Sequence, residues 1–322
     1  MTAGVDSPLA LDALAGLWQD PPTLPVKWLY DERGSRLFDE ITRLPEYYPT
    51  RRETEILTAR AAEIAATTGA EMIVELGSGT STKTRLLLDA FVAGCDPGGS
   101  RISYVPVDVS DEMLSVTAEI LSADYPDLDV VPVVADFTEP GLTLPVANGP
   151  RLAVFLGGTI GNFTPDFRVE FLDRLAAALA PGDYFLLGAD LIKDTGRLVA
   201  AYDDKSGVTA DFNRNLIEVL RTGLDARNLY ADDFEHIARW NPAEHRIEMW
   251  LRTRRDVNAW FEVLGKAWHL PAGAEIHTEI STKFEPAALA AELASVGLPA
   301  VAQWTDVAGD FLLTLACRRE SP

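Results

Sequence analysis

Residues 72–84 read M-I-V-E-L-G-S-G-T-S-T-K-T. An apolar strand runs into an acid, Glu75, then two glycines in a tight turn, then a helix start. Gly77 and Gly79 can adopt backbone angles closed to other residues and let the main chain approach a ligand closely. A dinucleotide-binding turn wants a third glycine, and that place holds Thr82. The spacing E-x-G-x-G suits instead the first loop of an S-adenosylmethionine (SAM) site, whose ligand has no pyrophosphate to cradle. An ordinary strand-to-helix turn would carry the same glycines, so other strand ends must decide.

They carry polar groups at the right places for a nucleoside. Asp108 ends I-S-Y-V-P-V-D, where a carboxylate can accept from both ribose hydroxyls. Asp136-Phe137 ends V-V-P-V-V-A-D-F, where the acid can accept from an adenine amine and the ring can pack on the base. Gly157, Gly158 and Thr159 follow a fourth strand, and Lys83, early in the first helix, is placed to reach a cofactor carboxylate. Each acid alone also reads as a helix cap or turn residue. Their recurrence at successive strand ends after E-x-G-x-G favours SAM.

The elements that position these residues alternate. A helix is expected over 52–67, strands near 72–76, 102–107, 130–135, 152–157 and 183–189, and helices over 81–93, 110–123 and 166–180. Strands rich in Val, Ile and Leu with helices between them imply a parallel sheet covered on both faces. Such sheets bind ligands beyond the C-terminal strand ends. After Asp190 the rhythm changes. Residues 194–222 and 232–240 read as helices, 244–252 with 256–264 as a hairpin, and 275–284 as a strand. A helix over 286–296 and strands near 300–305 and 310–316 return to the earlier pattern. Residues 1–50, rich in Pro and aromatics, read as irregular with short helices. The fold expected is α/β: a Rossmann-like methyltransferase core (56–193 with 286–322) and an inserted α+β substrate-binding or lid domain (1–55 with 194–285).

Composition sets bounds. A formal net charge of −21 over 322 residues opposes phosphate backbones and anionic membranes, which excludes nucleic acid as substrate but not a small zwitterion. Cys95 and Cys317 are the only cysteines, too few for a disulfide framework or metal cluster, and they fit a reducing cytoplasm. The four histidines, His236, His245, His269 and His277, show no ligand spacing, so no metal is expected. The N-terminus lacks a basic signal region and no apolar run is long enough to span a membrane, which implies a cytoplasmic protein. No oligomerisation motif is present, and a monomer is the expectation.

Six runs carry a family resemblance: L-P-E-Y-Y-P-T-R (44–51), V-E-L-G-S-G-T-S-T-K-T-R (74–85), F-L-G-G-T-I-G-N-F-T-P (155–165), K-D-T-G-R-L-V-A-A-Y-D-D (193–204), F-N-R-N (212–215) and R-I-E-M-W-L-R (246–252). Together they resemble the histidine-specific Nα-methyltransferases of ergothioneine biosynthesis, from about Leu24 to near the C-terminus. The resemblance implies three methyl transfers from SAM to the α-amino group of free L-histidine, giving hercynine. It places cofactor contacts on Gly77, Lys83, Asp108, Asp136 and Phe137, and substrate contacts on Tyr47, Asn162, Tyr202, Met249 and the run Glu279–Ile280–Ser281. Tyr30, in K-W-L-Y-D, is placed near both ligands. Tyr47 and Asn162 become the catalytic candidates, Asn162 as a holder of the substrate amine or carboxylate and Tyr47, alongside nearby water, as an acceptor of the amine proton, for which a strong base is not required. Gly158 stands where the family has Ser, and Thr282 where it has Cys.

The substrate residues also make sense on strand geometry. Alternation puts Glu279 and Ser281 on one face, opposite Ile276 and Ile280. A carboxylate beside a hydroxyl can hold an imidazole, which both donates and accepts. A solvated strand face would carry Glu and Ser equally well. Two rival readings remain: a related enzyme methylating another amino acid such as tryptophan, against which Glu279 argues, and a non-catalytic SAM-binding protein.

Overall fold

The computed structural model describes residues 4–79, 83–94, 101–141 and 143–319. Thr82 and Cys95 therefore lie outside the described residues. The helices are α1 (Pro8–Gly16), α2 (Glu32–Ile41), α3 (Pro49–Thr68), α4 (Arg85–Ala93), α5 (Asp111–Asp124), α6 (Pro165–Ala178), α7 (Thr195–Tyr202), α8 (Val208–Gly223) and α9 (Pro286–Ser295). The strands are β1 (Met72–Leu76), β2 (Ile102–Asp108), β3 (Leu128–Val130), β4 (Val133–Val134), β5 (Arg151–Phe155), β6 (Tyr184–Asp190) and β7 (Ala226–Arg227), then β8 (Phe234–Asn241), β9 (Arg246–Thr253), β10 (Val257–Phe261), β11 (Lys266–Leu270), β12 (Glu275–Thr282), β13 (Ala300–Thr305) and β14 (Phe311–Cys317). The chain forms two compact units, 1–48 with 193–282 and 49–192 with 283–322. The boundary expected between Glu55 and Ile56 falls inside α3, which runs on unbroken to Thr68.

The unit holding 49–192 is built on one sheet, in the order β13-β14-β6-β5-β1-β2-β3, with β4 paired to β2. β1, β2, β5 and β6 pair in parallel, while β14 and β13 are antiparallel additions at one edge. The order reverses between β1 and β5, which is where a doubly wound sheet opens a crevice above its strand ends. Apolar residues explain the layering. β1 is buried along its whole length, as a central strand covered on both faces requires. One face packs Phe155, Phe171, Leu172 and Leu289, and the other packs Ile56, Leu57, Leu88 and Tyr104.

The other unit joins the first 48 residues to 193–282. It carries two three-stranded sheets, β12-β9-β8 and β11-β10-β7. Two sequence expectations fail here. Of residues 232–240, expected as a helix, only 232 and 233 lie in a short 3₁₀ turn (Ala231–Asp233), while the rest form the strand β8 and pair antiparallel with β9. Residues 244–252 and 256–264 are not a hairpin, because β9 pairs with β8 and β12 while β10 pairs with β11 and β7. For β8 the deciding partner is β9, the next strand in the chain, and for β10 it is β11 and β7; pairing, not the local residue pattern, decides both outcomes. Helices α7 and α8 cover the inner face of β12-β9-β8.

Candidate active site

The glycine turn after β1 has the geometry its sequence implies. Gly77 and Gly79 have φ of +70° and +49°, and Gly157 and Gly158 have +82° and +72°. These left-handed values favour glycine over any side chain. A Cβ on Gly77 would touch the Phe137 ring at 3.3 Å, so the turn and the aromatic at the third strand end lie side by side. Asp108 Oδ2 accepts the Gly79 N–H at 3.1 Å, and its Oδ1 accepts the Ser110 N–H at 3.2 Å. Asp136 Oδ1 accepts the N–H and hydroxyl of Thr138. Both acids thus close turns as well as standing at strand ends. Phe137 packs edge-on against Phe155 and Phe171, which leaves its ring fixed beside Gly77.

The acid of E-x-G-x-G has a structural task. Glu75 is buried and accepts hydrogen bonds from the Thr84 and Tyr104 hydroxyls. Burial is the main cause that pushes its carboxyl up to about 7, with those hydrogen bonds and the Lys83 charge opposing. Glu75 thereby ties the strand before the glycine turn to the helix start after it.

Glu53 was not singled out from the sequence. It lies fully buried in the first half of α3, pairs with the Lys83 ammonium and accepts the Gly157 N–H at 2.8 and 3.0 Å. Two of the loops expected to meet the cofactor therefore hang on one carboxylate. The space comes from Gly188 in β6, where any Cβ would overlap Glu53 Oε1. A glycine inside a strand signals close approach of another group, and that was the available cue.

Asn162 is half-buried at the end of a short 3₁₀ turn, Thr159–Asn162, that follows β5. It belongs to the same unit as the glycine turn.

The remaining candidates gather in the other unit. Tyr47 and Tyr202 are buried, with ring centroids 6.2 Å apart. Phe38 packs edge-on against both Tyr47 and Tyr30, and Phe212 packs edge-on against Tyr30. The Tyr202 hydroxyl and Ser281 Oγ are hydrogen-bonded at 2.7 Å. Burial, then the Glu279 charge and the nearby Tyr47 and Tyr202, holds the Tyr30 phenol protonated well above its usual range. Tyr30, Tyr47, Tyr202, Glu279 and Ser281 thus form one cluster of phenols, a carboxylate and a hydroxyl.

A β-bulge builds part of this face. His277 pairs with Trp250 but Glu279 already pairs with Met249, so Thr278 is the extra residue. Cross-strand partners share a face. Glu279, Ser281 and Ile276 therefore stand with Met249, Ile247 and Leu251, all of them buried. The expectation that Ile276 lies opposite Glu279 is wrong, because the bulge reverses the alternation between them. Ile280 does lie opposite, paired with Glu248, so its side chain is not brought to the cluster. Thr282 pairs with Arg246 on that same outer face.

Comparisons with known proteins identify the family. The profile of the family described as "Histidine-specific methyltransferase, SAM-dependent" matches residues 9–318. The chain is 51% identical to the histidine N-alpha-methyltransferase of Mycobacterium tuberculosis and 52% identical to that of Mycolicibacterium smegmatis. Each match covers 96% of this chain and 95% of the relative. The ergothioneine biosynthesis protein 1 of Neurospora crassa is 39% identical over 61% of this chain and 22% of its own. With the profile spanning nearly the whole sequence, this chain belongs to the family of histidine-specific, SAM-dependent methyltransferases.

Proposed function

We infer that this enzyme transfers methyl groups from SAM to the α-amino nitrogen of free L-histidine, three times in succession, giving hercynine for ergothioneine biosynthesis. The observation that carries the choice of substrate is the buried inner face of β12, where Glu279 stands beside Met249 and Ser281 bonds Tyr202. An imidazole needs a partner for its N–H and one for its second nitrogen, and a carboxylate next to a hydroxyl supplies both. An indole N–H could donate to the carboxylate, but an indole has no second ring nitrogen to accept from the hydroxyl, so the pair is better matched to an imidazole.

The cofactor residues fit SAM. Gly77 leaves room beside the Phe137 ring, which suits a base edge, and Asp108 and Asp136 offer acceptors for ribose hydroxyls and the adenine amine. Lys83, held by Glu53, offers a cation for the methionyl carboxylate. Bound SAM supplies an electrophilic methyl carbon on a sulfonium. The chain's own residues then have three tasks. In the unit that carries β12, Glu279 and Ser281 hold the imidazole, Tyr47 and Tyr202 hold the amino-acid end, and the aromatic cluster keeps water out. Fixing the amine in this way is the main source of rate. The amine must be neutral to attack, so its ammonium proton passes to water, with the Tyr47 hydroxyl as a hydrogen-bond partner along the way. The chain works as a cytoplasmic monomer. Among the described residues, no helix is long and apolar enough to cross a membrane.

The test is to incubate the purified protein with SAM and an equimolar mixture of the twenty amino acids and to identify products by mass spectrometry. Three methyl groups on histidine alone is the expected result. A methylated product from another amino acid would overturn the reading of Glu279 and Ser281, and SAM binding without product would leave only a binding protein.

A further inference from the structure

The run F-N-R-N has a role in the fold that its resemblance did not assign. Phe212 packs on Tyr30. Asn215 donates to Asp31 Oδ1 at 2.6 Å and accepts from Arg33 at 3.1 Å, which ties α8 to the turn after Tyr30. Asn213, fully buried, reaches the other side. Its amide nitrogen lies 2.9 Å from His236 Nδ1 and 3.1 Å from the Trp250 carbonyl oxygen. The second ring nitrogen, His236 Nε2, lies 2.8 Å from the carbonyl oxygen of Tyr202.

Chemistry fixes every proton in this chain. The Tyr202 carbonyl can only accept, so His236 carries its hydrogen on Nε2. Nδ1 of the neutral ring is then an acceptor, and Asn213 must present its amide nitrogen there. The second amide hydrogen goes to Trp250. Flipping Asn213 would set its oxygen against two acceptors. Burial also depresses the His236 pKa below its ordinary value. Arg214 acts in the same sense, while the Tyr202 carbonyl, Asp203 and Asp204 oppose.

The position of that carbonyl matters. Tyr202 is the last residue of α7, and the final carbonyls of a helix have no donor within it. His236 supplies one. The end of α7 sets where the Tyr202 side chain starts, and its hydroxyl meets Ser281 at 2.7 Å.

We propose that Asn213 and His236 are positioning residues for substrate recognition: they hold the end of α7 so that Tyr202 and Ser281 form one binding surface. The proposal rests on the histidine reading and adds two residues that touch no reacting atom. Two variants separate the ring nitrogens. In His236→Gln the amide replaces Nε2 and keeps the bond to Tyr202. In His236→Asn it replaces Nδ1 and loses that bond. His236→Asn should raise the KM for histidine about tenfold, with the Kd for SAM unchanged, whereas His236→Gln should stay within about threefold of the parent. Ser281→Ala should cost less in the His236→Asn background than in the parent. Equal behaviour of the two variants, an equal loss of SAM affinity, or additive costs would overturn the proposal. If the parent methylates another amino acid, the histidine reading fails, and the same comparison on that amino acid still decides the positioning role. Nitrogen NMR of the unmodified protein at pH 7 tests the network without any substrate. It should show His236 neutral and protonated on Nε2, and a charged ring or an Nδ1–H tautomer would overturn the proposal.

Discussion

Replacing Gly188 with Ala adds a single methyl to the middle of β6, at a position whose partner across the sheet is Leu313. The new Cβ would overlap Glu53 Oε1 and come within 3.2 Å of the Phe311 ring. Something must move, and the carboxylate is the more mobile neighbour. Overpacking a close-packed site costs about 1–3 kcal/mol. Displacing Glu53 adds the loss of its bond from the Gly157 N–H, about 1.5–3 kcal/mol for a bond to a charged group. Lys83 contributes less, because its side chain is 24% exposed and water can replace its partner. Against this, Ala in an extended strand regains about 0.4–1 kcal/mol from the unfolded chain. The net expectation is a loss of about 2–5 kcal/mol. In a Glu53→Ala background the methyl enters space the carboxylate has left, and Gly188→Ala should be neutral within about 0.5 kcal/mol. The four proteins of this cycle can be compared by urea unfolding, with hydrogen exchange of the β5 and β6 amides to assign the change to this unit. An equal cost of Gly188→Ala with and without Glu53 would show that the carboxylate is not what the glycine accommodates.

The buried Glu75 carboxyl, pushed up from 4.5 to about 7, gives a pH dependence whose sign is fixed. The folded chain keeps a proton that the unfolded chain loses, so this contribution to stability is full below pH 4.5 and is lost as pH rises through 7. The size is about 3 kcal/mol. Glu75→Gln should remove that decline between pH 5 and pH 8 in urea midpoints, and an unchanged slope would sink the assignment. Glu279→Gln should raise the KM for histidine about 10- to 100-fold, since a bond to a charged group is worth about 1.5–3 kcal/mol, with SAM affinity intact by calorimetry. A matching loss of SAM affinity would place Glu279 elsewhere in the reaction. Asp108→Ala removes the acceptor for both the Gly79 and Ser110 N–H groups, and SAM binding should weaken about 10- to 100-fold, with Asp108→Asn intermediate. Equal binding by the Ala variant and the parent would remove Asp108 from the cofactor site.

What the sequence made legible follows from range. β1, β2, β5 and β6 are apolar runs buried on both faces, so their composition alone announces them. The left-handed glycines after β1 and β5 were equally plain, because the turn chemistry is local. β8 was misread since F-E-H-I-A-R-W-N contains one β-branched residue and gains its strand character by pairing with β9. The supposed hairpin failed for a related reason. T-R-R-D between Thr253 and Asp256 looks like a tight turn, yet it carries the chain out of one sheet into another.

The bulge and Glu53 show two different limits. Alternation correctly paired Glu279 with Ser281 because no irregularity lies between them, and failed for Ile276 because Thr278 does. Nothing in E-I-H-T-E-I-S-T marks Thr278 as extra, since only the register against β9 defines it. Glu53 sits in R-R-E-T-E, a pattern any solvated helix face would show, and its own surroundings conceal it. Its signal lies more than a hundred residues away, in the glycine of F-L-L-G-A-D, a residue that weakens a central strand unless something must approach it. The small residue was the legible half of the pair. A strand glycine with ordinary φ is therefore a reason to look for a buried polar group on the element packed above it, and here that group holds both Lys83 and the Gly157 loop.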